Sequence, residues 1–97
     1  MTYDTLVKSA PVVLVEFFAT WCGHCRAMEP VVEQVRELVG DSAAIYQIDV
    51  DKDAAAADAE NVTGTPTFIL YRDGKAQWRH SGEIDGNVLY EKIMSAR

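Results

Sequence analysis

The chain has 97 residues, 48% of them hydrophobic, which predicts a single globular domain over residues 1–97 and excludes an intrinsically disordered chain. Its formal net charge is -6 at pH 7; with no lysine or arginine cluster, this argues against nucleic acid or an anionic membrane as a partner. No apolar run approaches the roughly 18 residues that a membrane span requires.

The first half of the chain alternates strand and helix patterns. Residues 12–19, VVLVEFFA, form a nearly continuous apolar run rich in β-branched residues, which is typical of a strand buried on both faces. Residues 43–50, AAIYQIDV, predict a second buried strand. Between them a helix is predicted that ends at Gly40. Its apolar residues recur at helical spacing: Val31, Val32, Val35, Leu38 and Val39.

The second half predicts a short helix, a hairpin and a last helix. Residues 53–60, DAAAADAE, favour a helix because Asp53 can cap its start and Asn61 suits a left-handed end. Residues 67–82 predict two strands joined at Asp73-Gly74, a strong turn signal. Residues 85–96 predict a helix whose apolar face holds Val88, Leu89, Ile93 and Met94.

This order of elements indicates the α/β class. Strand–helix–strand units favour right-handed parallel crossovers, whereas the final hairpin must be antiparallel. The expected architecture therefore has three layers, with a mixed sheet of four strands between helices on both faces.

Cys22 and Cys25, the only two cysteines, lie where the first strand gives way to a helix. Such a pair could be a disulfide, half of a metal site or a redox pair. Zinc is the weaker alternative, and no metal is predicted, because tetrahedral zinc needs four ligands and no second cysteine pair exists. A helix N-terminus favours thiolate over thiol. We therefore expect Cys22 to be the nucleophile and the more exposed thiol, and Cys25 to be the resolving thiol.

The motif VLVEFFATWCGHC resembles the active-site segment of the thioredoxin family, with the Cys-Gly-His-Cys tetrapeptide of protein disulfide isomerases. The resemblance covers residues 11–97 and implies a thioredoxin fold that lacks the family's N-terminal strand and has YDTLVKSA as its first helix. Further matching features are Pro30 at the helix kink, IDVD at 48–51, GTPT at 64–67, DGK at 73–75 and Gly82.

The resemblance also implies roles for residues around the thiols. Trp21 would cover the thiols at the rim of the site and contact substrate. A cis Thr65–Pro66 bond would bring its loop against the nucleophile. The Thr65 backbone could then pair with an extended substrate. Gly82 would be a further substrate contact. Gly23 and His24 would modulate the site. His24 replaces the proline of ordinary thioredoxins and, as a cation, would make the disulfide more oxidising.

Glu16 interrupts the first strand, and a buried carboxylate is costly unless it is paired or neutral. The family keeps an acid at this position to exchange a proton with the inner cysteine. The family's lysine on the adjacent strand is replaced here by Gln47, which is neutral, so we expect burial to raise the pKa of Glu16. The alternative is that Gln47 points away and Glu16 reaches water. Trp78 and His80 are interpreted as ordinary hairpin residues.

The resemblance implies a thiol–disulfide oxidoreductase that acts on disulfide-containing proteins and is recycled by a redox protein such as a thioredoxin reductase. A monomer is expected, and no cofactor, because the sequence contains no nucleotide-binding motif. The alternative is a thioredoxin-fold binding or chaperone module without turnover. The N-terminus lacks the basic and apolar segments of a signal peptide, so the chain as given is expected to be cytoplasmic.

Overall fold

The computed structural model describes all 97 residues, and its helices and strands follow the predicted order with ends that differ by one to three residues. The elements are α1 (Tyr3–Val7), β1 (Val12–Phe18), α2 (Gly23–Val39), a 3₁₀ turn (Gly40–Ser42), β2 (Ala44–Asp49), α3 (Ala54–Ala59), β3 (Thr67–Arg72), β4 (Lys75–Ser81) and α4 (Gly86–Ser95). None of the helices combines the length and the apolar character of a membrane span.

The four strands form one mixed sheet in the order β2-β1-β3-β4, which confirms the predicted sheet. β1 is parallel to β2 and antiparallel to β3. The predicted parallel crossover is therefore right for β1–α2–β2 and wrong for β2–α3–β3. With six residues, α3 is only about 9 Å long, against roughly 20 Å for a strand of that length. It passes over β1 without carrying the chain back along the strands, so β3 begins at the end of the sheet where β2 finishes and runs antiparallel to it.

The core lies on both faces of the sheet, which explains the unbroken apolar run of β1. Successive side chains of a strand point to opposite faces, and β1 is buried on both. On one face, Leu14 packs in a cluster with residues of α2 and α4; on the other, Val13 and Phe17 pack in a cluster with α1 and α3. β1 is thus held rigidly, and it positions whatever follows its carboxyl end.

Two residues predicted to lie on apolar helix faces are instead exposed. Leu38 of α2 is 60% exposed and Val88 of α4 is 46% exposed. Each directly precedes a buried residue, Val39 and Leu89 respectively. One residue corresponds to about 100° of rotation in a helix of 3.6 residues per turn, so both side chains turn away from the sheet.

The turn that joins β3 to β4 has the predicted chemistry. Asp73 and Gly74 both have positive φ, 52° and 80°. This is the type I′ geometry that matches the twist of a two-residue hairpin. The turn sets the start of the β3–β4 pairing, which shifts register between Leu70 and Tyr71 before it reaches the end of β4, where the loop at residues 82–85 follows.

Candidate active site

The two cysteines lie beyond the carboxyl end of β1, at the N-terminus of α2. Cys22 is the N-cap residue, and its Sγ accepts a hydrogen bond of 3.2 Å from the backbone N–H of Cys25. Gly23 is the first residue of the helix. Sulfur takes the place that a serine or aspartate oxygen usually occupies at a helix start, where the helix dipole favours negative charge.

The two thiols differ in their proton affinity more than in their exposure. Burial opposes ionisation of Cys22, but hydrogen bonds with the Cys25 and Thr65 side chains and from backbone N–H groups outweigh it, so the pKa of Cys22 lies below its ordinary value. Burial and the hydrogen bond to Cys22 raise the pKa of Cys25. This asymmetry supports the assignment of Cys22 as nucleophile.

The expected difference in exposure is small: Cys22 is 6% exposed and Cys25 is 4% exposed. The loop before β3 lies over Cys22, because the Thr65 carbonyl oxygen is 3.4 Å from its Sγ. Covered in this way, the reactive sulfur does not protrude as the sequence suggested.

The loop before β3 contains a cis peptide bond and an unpaired backbone N–H. The Thr65–Pro66 bond is cis, and the backbone N–H of Gly82, at a φ of 97° that favours glycine, donates to the Pro66 carbonyl at 2.8 Å. The backbone N–H of Thr65 has no backbone acceptor within the chain. It is therefore free to pair with another strand.

Trp21, which directly precedes Cys22, is exposed on the same groove as Thr65. Trp21 is 69% exposed, and its Nε1 donates to Asp51 Oδ2 at 2.9 Å, which restrains the ring on the protein surface. A shallow groove of about 160 Å³ begins at this ring and runs along the loop before β3. Its lining residues are Trp21, Val50, Val62, Thr63, Gly64 and Thr65.

His24 has a partner that the sequence did not reveal. Its Nδ1 lies 2.6 Å from Glu83 Oε2, and this hydrogen bond and the carboxylate charge raise the pKa of His24. The two residues are 59 positions apart. The one hint in the sequence was that Glu83 directly follows Gly82, a residue already assigned to the site.

Glu16 and Gln47 are in contact, as the sequence predicted, and the alternative in which Gln47 points away is wrong. The two residues are register partners on β1 and β2, and Gln47 Nε2 donates to Glu16 Oε1 at 2.9 Å. Glu16 is 2% exposed. Burial raises its pKa, the Gln47 hydrogen bond and Arg36 lower it, and Glu29 raises it, with a net upward shift.

Arg36 is the second residue that sequence reasoning missed. From α2 its Nη2 donates to Gln47 Oε1 at 3.2 Å, so a cation does stand behind the neutral amide. Its spacing from Gln47 gave no signal, because a helix-to-strand contact depends on how α2 lies across the sheet.

Trp78 and His80 both lie on the hairpin strand β4, and neither contacts the cysteines. Their rings stack on β4 with centroids 6.0 Å apart, and His80 Nε2 lies 3.1 Å from the Glu83 carbonyl oxygen. No group of three histidine, cysteine or carboxylate side chains gathers anywhere in the structure that could hold a metal.

Comparison with known proteins gives a consistent result. Residues 1–95 match the family described as Thioredoxin. A thioredoxin of Aspergillus fumigatus is 48% identical over 95 residues, which cover 96% of this chain and 84% of the relative. Among solved structures, a mutant thioredoxin from Halobacterium salinarum NRC-1 superposes with a TM-score of 0.87 at 40% identity, covering 96% of this chain and 80% of that one.

Some relatives are considerably longer. The chloroplastic thioredoxin Y of Oryza sativa subsp. japonica is 39% identical over 93 residues, which are 96% of this chain and 55% of the relative. The chain thus spans about half the length of the chloroplastic relatives that it matches.

Proposed function

The chain belongs to the thioredoxin family, and from this premise we propose that it is a thiol–disulfide oxidoreductase that reduces disulfide bonds in proteins. The observation that supports this most strongly is the position of Cys22. Its sulfur caps α2, accepts the Cys25 N–H and has a lowered pKa. A thiolate stabilised in this way is the species that attacks disulfides.

The reaction proceeds in two exchange steps. The Cys22 thiolate attacks one sulfur of the substrate disulfide, forms a mixed disulfide and releases the other sulfur as a thiolate. Cys25 then loses its proton and attacks Cys22, so that the Cys22–Cys25 disulfide forms and the second substrate thiolate leaves. Two electrons pass to the substrate, and another redox protein, of the thioredoxin reductase kind, returns them.

Glu16 assists the loss of the Cys25 proton through water. A base works best when its pKa lies near the operating pH, and burial moves the pKa of Glu16 upward from the range of an ordinary carboxylate. A cavity of about 290 Å³ reaches Gln47, the hydrogen-bond partner of Glu16, and gives water a route to this side of the sheet. Its lining residues are Phe18, Glu29, Glu33 and Gln47.

Substrates are extended segments of disulfide-containing proteins. The free N–H of Thr65 and the groove beside Trp21 suit a peptide that adds to the loop as a short strand. The groove is shallow, so most of the recognition falls on backbone hydrogen bonds, and we expect broad substrate selectivity.

We expect the His24→Pro variant to have a lower reduction potential than the natural protein. A cationic His24 stabilises the Cys22 thiolate and therefore the reduced form, and Glu83 helps it to stay protonated. Potentials of about -270 mV for thioredoxin and about -180 mV for protein disulfide isomerase differ in this direction. A shift of about 30 mV, or tenfold in the equilibrium constant, is expected in a glutathione redox titration at pH 7.

The same titration contains its own control. Above the pKa of His24 the ring is neutral, so the difference between the two proteins should narrow at pH 9. A higher potential for the His24→Pro variant, or a difference that does not depend on pH, would contradict the electrostatic explanation.

Insulin reduction with dithiothreitol as electron donor tests the proposed activity. An oxidoreductase accelerates precipitation of the insulin B chain well above the rate with dithiothreitol alone. A thioredoxin-fold module that only binds or chaperones its partners gives no acceleration, and that result would reject the enzyme in favour of the binding module.

A further inference from the structure

A continuous line of hydrogen bonds joins Arg36 on α2 to the buried acid of β1. Arg36 Nη2 donates to Gln47 Oε1 at 3.2 Å, and Gln47 Nε2 donates to Glu16 Oε1 at 2.9 Å. At the inner end, Glu16 is 2% exposed. At the outer end, the Arg36 side chain is 39% exposed. The line therefore runs from the protein surface to the acid.

Arg36 is itself held in place by two further contacts. Its Nη1 donates to the Ile45 carbonyl oxygen at 2.7 Å, and its Nε donates to Glu33 Oε1 at 3.3 Å. The guanidinium is a planar group whose donors have a fixed geometry. With the other two nitrogens engaged, Nη2 is directed at Gln47.

This contact determines which way round the Gln47 amide lies. A primary amide has one acceptor end and one donor end, and a guanidinium can only donate. The oxygen of Gln47 must therefore face Arg36, and its nitrogen must face Glu16. Glu16 consequently meets a donor, which favours the carboxylate over the protonated acid.

We propose that Arg36 is a positioning residue that locks the Gln47 side-chain amide with its nitrogen toward Glu16, and so sets the protonation behaviour of the buried acid. Only the role of Glu16 as a base depends on the proposed function. The lock itself follows from the four hydrogen bonds.

Removal of the guanidinium would free the amide to turn over. Its oxygen could then accept a hydrogen bond from protonated Glu16, which would stabilise the neutral acid and raise the pKa of Glu16 further. The other charged or titratable groups on this side of the sheet include Cys25, Glu29 and Glu33 of α2, His80 of β4, which is the register partner of Phe68, and Lys92 of α4, whose Nζ lies over the Trp78 ring. From β3, the register partner of Glu16 is Phe68, which is uncharged.

Carbon-13 NMR titration of the Glu16 carboxyl group tests the lock. We expect the pKa of Glu16 to be higher in Arg36→Met than in the natural protein. The shift should be smaller in Arg36→Lys, which keeps a positive charge but loses the planar guanidinium with its fixed donors. Arg72→Met is the matched control for lost charge, because Arg72 is 38% exposed and pairs with Asp73 at the opposite end of the sheet. It should leave Glu16 unchanged.

A double-mutant cycle separates the amide lock from a direct effect of the Arg36 charge. If Arg36 acts through the amide, Arg36→Met should shift the Glu16 pKa clearly more in the natural background than in a Gln47→Leu background, where only the direct effect of the Arg36 charge remains. Equal shifts in both backgrounds, or no shift in either, would overturn the proposal. Neither titration involves turnover, so this outcome is distinct from failure of the proposed activity.

Discussion

Replacing Cys22 by serine should abolish insulin reduction, lowering the rate to that of dithiothreitol alone. The expected loss is about 10³-fold or more, the scale on which removal of a nucleophile acts in other enzymes. The reason is chemical: a serine hydroxyl at the start of α2 is not ionised near pH 7, whereas the hydrogen bonds around Cys22 favour its thiolate. The fold should be unaffected, because serine is itself a favoured N-cap residue.

The Cys25→Ser variant is the matched partner of that experiment. It keeps the nucleophile and loses the resolving thiol, so it should attack insulin once and stop as a mixed disulfide. Mass spectrometry should detect a covalent adduct that dithiothreitol removes. An adduct of the same kind with Cys22→Ser, in which Cys25 would be the attacking sulfur, would reverse the assigned roles.

Glu16→Gln should make the protein more stable at neutral pH and less active. When a carboxyl group has a higher pKa in the folded than in the unfolded state, its ionisation destabilises the folded state. The cost is about 1.4 kcal/mol for each pH unit by which the two pKa values differ. Gln47 can still donate to the new amide oxygen, so the packing of the site is kept. A higher Tm is expected for the variant, and each ~1 kcal/mol of gained stability corresponds to roughly 4–8 °C in a domain of this size.

The pH dependence fixes the sign of this effect. Below the unfolded pKa of about 4.3, Glu16 is protonated in both states, so its ionisation costs no stability. As pH climbs through the raised folded pKa, the natural protein loses stability relative to the variant, and the gap then levels off. Thermal melts between pH 4 and pH 8 measure this gap. Equal melting temperatures at every pH would contradict a raised pKa.

The kinetic half of the prediction concerns the second exchange step. Without a base, Cys25 deprotonates more slowly, so resolution of the mixed disulfide should slow by roughly 10²-fold at pH 7. Rapid-quench measurement of that step separates it from the first attack, which should be unchanged. The matched control is Glu91→Gln, which neutralises an exposed acid on α4 and should affect neither Tm nor rate.

The sequence was most informative where local chemistry decides the structure. The apolar run of β1, the cysteines at a strand–helix junction and the Asp73-Gly74 turn each act through neighbours in the chain. The contact between Glu16 and Gln47 was predicted from the family resemblance, which puts Gln47 at the position of the family's lysine; the parallel register of β1 and β2 in the structure accounts for it.

What the sequence did not predict depends on how the elements are arranged in space. Glu83 reaches His24 only because β4 and its following loop return to the start of α2. Arg36 reaches Gln47 only because α2 lies across β2. The direction of β3 depends on the length of α3. The exposure of Leu38 and Val88 depends on how α2 and α4 are rotated against the sheet.

Although both cysteines are buried, the fold makes Cys22 the nucleophile and Cys25 the resolving thiol. The most direct test is alkylation of the reduced protein with iodoacetamide between pH 5 and pH 10, with the rate at each cysteine followed by peptide mass spectrometry. We predict that Cys22 reacts first, with an apparent pKa below that of an ordinary thiol, and that Cys25 stays unmodified until higher pH. Equal rates at the two cysteines, or faster modification of Cys25, would contradict this assignment.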